Sequence, residues 1–243
     1  MVHLLLLILI FWFQSSGLAD TVIIGAFSEM DPAKGLPALW EKLVFPRIER
    51  QTSYTLIRDH DRTVIQAVSN ASASGLIRHF KGSAEQHPWI VWQWKIDHVL
   101  QKGDVAIKQG DDYAARIYVA FEFTPEGKSW WQRMRFKAAN LAAGGKLPGT
   151  ALNYIWANKA VLGTVVNNPF TDQTKMIVLQ SGNAMAGRWI AEKRNLVEDY
   201  RTAFGQKPPR IMGIAIMTDT DNTGESTTAY YGDIQLSDEQ PGQ

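Results

Sequence analysis

The chain has 243 residues, 25 basic against 24 acidic side chains, a formal net charge of +1, 45% hydrophobic and 11% aromatic residues, and no cysteine. That composition supplies a sizeable core and excludes intrinsic disorder, while a charge near zero gives no long-range field to draw in nucleic acid or anionic lipid. The absence of cysteine removes disulfides, thiolate catalysis, cysteine zinc sites and iron–sulfur clusters.

Leu4 to Phe13 (LLLLILIFWF) is an unbroken apolar run, too short for a bilayer span, which needs roughly 20 residues. It has the length of a signal-peptide core, and Gly17 and Ala19 supply the small residues that cleavage before Asp20 requires. The expected organisation is a signal peptide over 1–19, one domain over 20–238 and a polar tail over 239–243. The expected address is periplasmic or secreted, with no membrane contact once the signal is removed and no nucleic-acid partner.

From Thr21 onward, short β-branched and aromatic runs alternate with Gly, Pro, Asn and Asp, the pattern of an all-β sandwich or barrel. Strands are predicted at 21–27, 53–58 and 63–68, the last two forming a hairpin around Asp59-His60-Asp61-Arg62. Trp89 to Ile96 (WIVWQWKI) sets Ile90, Trp92, Trp94 and Ile96 on one apolar face and Val91, Gln93 and Lys95 on the other. The run 114–123 repeats this logic, and further strands are predicted at 153–156, 175–180, 188–193, 211–217 and 229–236. Two helical insertions interrupt the pattern. One lies over 129–143, where Trp131, Met134, Ala138 and Leu141 keep helical spacing; the other runs from Leu196 to Phe204 behind Asn195, with Glu198 completing a capping-box-like start. The fold expected is an antiparallel jelly-roll β-sandwich with no βαβ alternation.

Catalytic signatures fail one by one. There is no G-x-S-x-G, H-E-x-x-H or G-x-G-x-x-G, and Gly144-Gly145-Lys146 is followed by Leu147 where a phosphate loop needs Ser or Thr. Four constellations remain. In Gly110-Asp111-Asp112-Tyr113-Ala114-Ala115-Arg116, Asp112 and Arg116 would share a strand face roughly 13 Å apart. In Thr218-Asp219-Thr220-Asp221-Asn222-Thr223-Gly224, hard oxygen donors crowd a turn. Asp219, Asp221 and Asn222 there suit calcium, which takes oxygens at about 2.4 Å, and an ion-free Asx-rich turn is the alternative. Nine Trp residues offer platforms for sugar faces; Trp92 and Trp94 belong to the core, which leaves Tyr154, Trp156 and Trp189 as candidates, with Tyr118 on the polar side of its strand. Last, Glu192 and Arg194 share a strand face and would join Lys95, Asp112 and Arg116 in a polar cleft.

Read in order, W-x-W-K (Trp92 to Lys95), G-D-D-x-A-A-R-I-Y-V (Gly110 to Val119), Y-I-W (Tyr154 to Trp156), W-x-x-E-K-R-N-x-x-x-D-Y (Trp189 to Tyr200), D-T-D-N-T (Asp219 to Thr223) and Y-G-D-I (Tyr231 to Ile234) resemble the exported bacterial family DUF3047. The segment 129–145 matches none of these motifs. The resemblance implies an exported β-sandwich similar to jelly-roll carbohydrate-binding modules, and it carries no catalytic residue or cofactor. The leading functional expectation is a non-catalytic module that binds a glycan or small acidic ligand on a polar, aromatic concave face. A glycan-cleaving enzyme on the same scaffold would use two of Asp111, Asp112, Glu122, Glu192 and Asp219, spaced about 5 Å or 6.5–9.5 Å apart. A structural envelope protein would instead expose a large apolar patch to a protein partner.

Overall fold

The computed structural model describes residues 20–127, 129–131, 133, 134, 136, 137 and 148–240. The expected signal peptide and most of the first helical insertion therefore lie outside the described residues; 130–131, 133–134 and 136–137 are helical, as the spacing predicts. No described helix is long and apolar enough to cross a membrane.

The chain forms a sandwich of two sheets. The strands are β1 (Thr21–Gly25), β2 (Glu41–Leu43), β3 (Ser53–Asp59), β4 (Arg62–Asn70), β5 (Ala73–Ser83), β6 (Trp89–Ile96), β7 (Arg116–Phe121), β8 (Thr150–Ala157), β9 (Val165–Asn168), β10 (Thr171–Ser181), β11 (Ile190–Asn195), β12 (Arg210–Asp219) and β13 (Ser226–Ser237). The six-stranded sheet runs β11-β6-β13-β4-β3, with β1 added on β13; the seven-stranded sheet runs β2-β5-β12-β7-β8-β10-β9. Alternation explains the layering. Trp92, Trp94, Ile117, Val119, Phe121, Tyr154, Trp156, Ile214, Ile216 and Tyr231 all point between the sheets into one core, and their odd-even neighbours face outward. Aromatic contacts bridge the layers: Trp92 packs on Tyr154 at 5.2 Å and Trp94 on Trp156 at 5.9 Å.

Every predicted strand is present, and the hairpin closes through His60 and Asp61, with Asp59 paired to Arg62 and His60 at φ 57°. Three strands lie beyond the sequence pattern. β2 and β9 are short edge strands, and β5 (ASGLIRHFKGS) is interrupted by glycines and charges, so its apolar alternation is weak; β12 pairs with it over most of its length. One pair departs from the antiparallel expectation, β8 with β10. After β8 the chain passes over one strand position to form β9, and the tight β9–β10 connection then returns β10 into the gap. A parallel neighbour arises there without a crossover helix. The second helix, Leu196–Phe204, sits where the spacing predicts it. Asn195 caps it by accepting from Val197 and Glu198 N–H, and Gly205 ends it at φ 71°.

Candidate functional site

The residues singled out from the sequence fall into three places, not one cleft. At one end of the seven-stranded sheet the first two constellations merge. β7 begins only at Arg116, so Asp112 and Arg116 do not share a strand face as expected, and Arg116 takes other partners. Its Nε donates to Asp219 Oδ1 at 2.8 Å, Nη2 to Asp219 Oδ2 and to the Asp111 carbonyl, and Nη1 to the Tyr118 hydroxyl at 3.1 Å. The guanidinium lies 4.3 Å over the Tyr113 ring. Asp112 accepts from Thr223 N–H at 2.6 Å and Asn222 Nδ2 at 3.0 Å, which pins the turn before β13. Asp111 accepts from Asn168 at 2.8 Å.

This end is sealed: Asp111, Asp112, Arg116 and Asp219 are each 5% exposed or less. Burial pushes the Asp219 carboxyl up to about 8 against the pull of Arg116, with Asp112 and Asp111 adding repulsion. Burial and Asp112 also raise Asp221. Oxygens of Asp112, Asp219 and Asp221 lie within 4.8 Å of one another, a hard donor set of the kind calcium takes. Asn222, expected as a ligand, spends its amide N–H on Asp112. The cluster thus has Arg116 and main-chain donors as internal partners already.

The second place is the rim between the sheets. On β11, Glu192 stands opposite Trp92 and Arg194 opposite Ile90, so both face inward. Glu192 accepts from Trp94 Nε1 at 3.2 Å and Gln180 Nε2 at 2.8 Å, and burial raises its carboxyl above the usual range. Arg194 Nε donates to Asp199 Oδ2 at 2.9 Å, and the Tyr154 hydroxyl donates to the same oxygen at 2.7 Å. These bonds fasten the helix Leu196–Phe204 to the sandwich. Tyr154 and Trp156, expected on a ligand-facing surface, are core residues at 0% and 1% exposure; Trp156 Nε1 donates to the Gly182 carbonyl. In β8 the aromatic positions fall on the inward parity.

The third place holds Lys95, on the outer face of the six-stranded sheet. Its Nζ donates to Asp59 Oδ2 at 2.7 Å and lies 4.2 Å over the Tyr230 ring and 5.2 Å over Trp189. Trp189 Nε1 donates to the same Asp59 oxygen at 2.7 Å, and Arg62 stacks 4.1 Å over the indole while donating to Gln93. Burial alone would raise Asp59, but the bonds from Lys95 and Trp189 outweigh it and lower the carboxyl. Trp189 precedes β11 at one end of the strand path and Asp59 ends β3 at the other. Four strand spacings in a flat sheet would put those strands roughly 19 Å apart, so the two ends fold over the face between them. Gly232 lies beneath: a Cβ there would stand 3.3 Å from Gln93 and 3.7 Å from Trp189. Asp59, Arg62 and Gln93 escaped the sequence reading, although alternation in β6 puts Gln93 beside Lys95 and the hairpin tetrad contains the other two. Tyr230 and Trp189 join them only through strand order, which no local pattern encodes.

Comparison with known proteins agrees with the motif order seen in the sequence. A family model described as "Protein of unknown function (DUF3047)" matches residues 38–235. The chain belongs to the DUF3047 family. No curated protein matches it. Among solved structures, this DUF3047 chain is similar to Endoglucanase 3 of Trichoderma harzianum, from family GH12, at 7% identity and a TM-score of 0.40, covering 83% of this chain and 98% of the endoglucanase. It is similar also to the cellulose induced protein Cip1, at 10% identity and a TM-score of 0.40, covering 84% and 93% of the two chains.

Proposed function

We propose that this DUF3047 protein is an exported, non-catalytic binding module that recognises a glycan or other polyhydroxylated, acidic ligand on the outer face of its six-stranded sheet. The observation that supports this reading is the meeting of Trp189, Tyr230, Arg62, Lys95, Gln93 and Asp59 over one half-buried patch. Rings beside hydrogen-bonding groups suit the apolar faces and hydroxyls of a sugar. Two cations against one carboxylate leave a positive charge for an acidic substituent. Four of the five carboxylates named for an enzyme are otherwise engaged: Asp219 with Arg116, Asp111 with Asn168, Asp112 with the 220–224 turn, and Glu192 with Trp94 and Gln180.

The test is calorimetric titration of the chain from Asp20 with acidic and neutral oligosaccharides, alongside an assay for newly released reducing ends. Binding of an acidic oligosaccharide without cleavage is expected, weakened about tenfold in Lys95→Ala by loss of a charge-assisted hydrogen bond. Absence of binding across the acidic series would overturn the proposal, and release of reducing ends would replace it with the enzymatic alternative.

A further inference from the structure

The patch over the six-stranded sheet is filled by the protein's own groups. Lys95 Nζ and Trp189 Nε1 both donate to Asp59 Oδ2, each at 2.7 Å. An ammonium and an indole N–H aimed at one oxygen form a donor pair that suits a carboxylate. The ring faces are taken as well: Arg62 lies over Trp189 and Lys95 over Tyr230. A ligand on this patch therefore has to displace a group already there.

Register shows which group yields. β4 pairs with β13 from Asn70 opposite Ser226 as far as Ile65 opposite Tyr231, whereas its pairing with β3 continues to Arg62 opposite Asp59. Beyond Ile65, β3 is the one strand paired with β4 among the described residues, and β3 ends the strand path. Thr63 and Val64 are buried and hold the base of this overhang, while its tip is in solvent, with His60 89% exposed and Asp61 exposed too. The tip is fastened to the sheet face by side chains, Asp59 through Lys95 and Trp189 and Arg62 through Gln93 and the indole ring. Asp59 stands at the root of that exposed tip, where its side chain can turn to water while the backbone rung to Arg62 is kept.

We propose that Asp59 stands in for a carboxylate of the ligand: the patch is a subsite for a carboxylated sugar, which binds by replacing Asp59 on Lys95 Nζ and Trp189 Nε1 as the hairpin tip turns outward. This rests on the recognition role proposed above and names its substrate class. Exchange of one carboxylate for another returns an anionic partner to Lys95, whose side chain is 13% exposed. A neutral sugar brings no such partner, and displacing Asp59 for it would leave a nearly enclosed ammonium without its anion. The space Asp59 vacates is that of a planar group with two oxygens, smaller than a tetrahedral sulfate. Because the bound form requires Asp59 to leave, its carboxylate competes with the ligand and lowers the observed affinity.

The test is calorimetric titration with a trimer of galacturonic acid, its carboxyl-reduced counterpart and a sulfated galactose trimer, in about 0.15 M salt, where exposed charges are largely screened. Asp59→Asn keeps the side chain's shape and an acceptor but removes the competing charge, so it should bind the carboxylated trimer about tenfold more tightly than the wild type and gain nothing for the reduced one. Asp61→Asn removes the same charge from the exposed tip and should change that affinity by less than about twofold. In the wild type, saturation with the carboxylated trimer should quicken amide exchange in the Asp59–Arg62 turn, a measurement that decides the matter even if Asp59→Asn fails to fold. A wild type that binds the carboxylated trimer with slower exchange there, or a gain in Asp59→Asn absent or matched by Asp61→Asn, overturns the exchange and leaves the recognition role standing. Binding of the sulfated trimer alone overturns the carboxylate class by itself. Silence of the wild type and Asp59→Asn toward both acidic trimers overturns the recognition role as well.

Discussion

Two regions use the same chemistry to different ends. At one end of the central strands of the seven-stranded sheet, Arg116 sits among Asp111, Asp112 and Asp219 with 2% of its surface exposed. On the outer face of the six-stranded sheet, Lys95 and Arg62 share Asp59 and Gln93 with two half-buried rings. In the first, the Arg116 nitrogens are engaged by the Asp219 carboxylate, the Asp111 carbonyl and the Tyr118 hydroxyl, and the ends of β7 and β12 are welded together. In the second, the groups meet at a folded-over, half-buried surface, the one proposed to exchange them for a ligand. Burial, more than residue type, separates a structural ion cluster from a recognition surface. The largest expected effect tests the welded region. At a pH above about 8, where the Asp219 carboxylate is ionised, Arg116→Leu leaves it buried without its partner and should cost about 3–5 kcal/mol in urea unfolding. The double substitution Arg116→Leu with Asp219→Leu should recover much of that loss, since two apolar groups leave no orphaned charge. A single substitution costing under about 1 kcal/mol would put the pair among surface ion pairs, contrary to its burial.

The same region sets a pH dependence of definite sign. Asp219 in the folded chain titrates near 8, and Asp221 is raised as well, above the ordinary carboxyl value of about 3.9. Over that interval the folded state binds more protons than the unfolded one, so stability is greatest below the unfolded value and falls as pH rises through about 8. Urea unfolding at pH 5 and pH 8 in chelator should show the loss, and Asp221→Asn should shrink it by removing that carboxyl's own raised titration. Added calcium should flatten the slope by replacing protons among Asp112, Asp219 and Asp221. Superimposable curves with and without calcium would leave the turn held by Arg116, Asn222 and main-chain N–H alone.

The sequence made the scaffold legible because period-two alternation is local: WIVWQWKI in β6 declares its inner and outer faces without reference to any partner. It also fixed the helix Leu196–Phe204 through Asn195 and Gly205. Site assembly was less legible, because it depends on register between distant strands. Arg116 finds Asp219, 103 residues away, and Trp189 finds Asp59, 130 residues away, and nothing in either segment names its partner. Tyr154 and Trp156 mislead for a related reason. An aromatic residue on a strand reads equally as sugar platform or as core until the parity of the neighbouring strands is known.

The proposed recognition surface should respond in the opposite manner from the welded one. Lys95→Ala removes a partner from Asp59 at a site where both side chains keep 13–14% exposure, and stability should change by no more than about 1 kcal/mol. What remains of the Asp59 contribution, from a lowered carboxyl, is present above the unfolded value and lost as pH falls, the reverse of the Asp219 dependence. An unfolding loss in Lys95→Ala as large as that of Arg116→Leu would erase the distinction between the two regions.

The smallest expected effect is also the most selective. Trp189→Phe keeps an aromatic ring beneath Arg62 and above Gly232 but deletes the indole N–H that reaches Asp59. One hydrogen bond to a charged acceptor is removed while Lys95 still satisfies the same oxygen, so the loss should be about 0.5 kcal/mol, the low end for a single hydrogen bond. Because that bond ties the ends of the two edge strands together across the face, its removal should show first as faster amide exchange in the Asp59–Arg62 turn and at the start of β11, with the core strands unchanged. Exchange that accelerates throughout the six-stranded sheet would mean that the Trp189–Asp59 contact holds the sheet itself, and the folded-over face would then belong with Arg116 among the structural ion clusters.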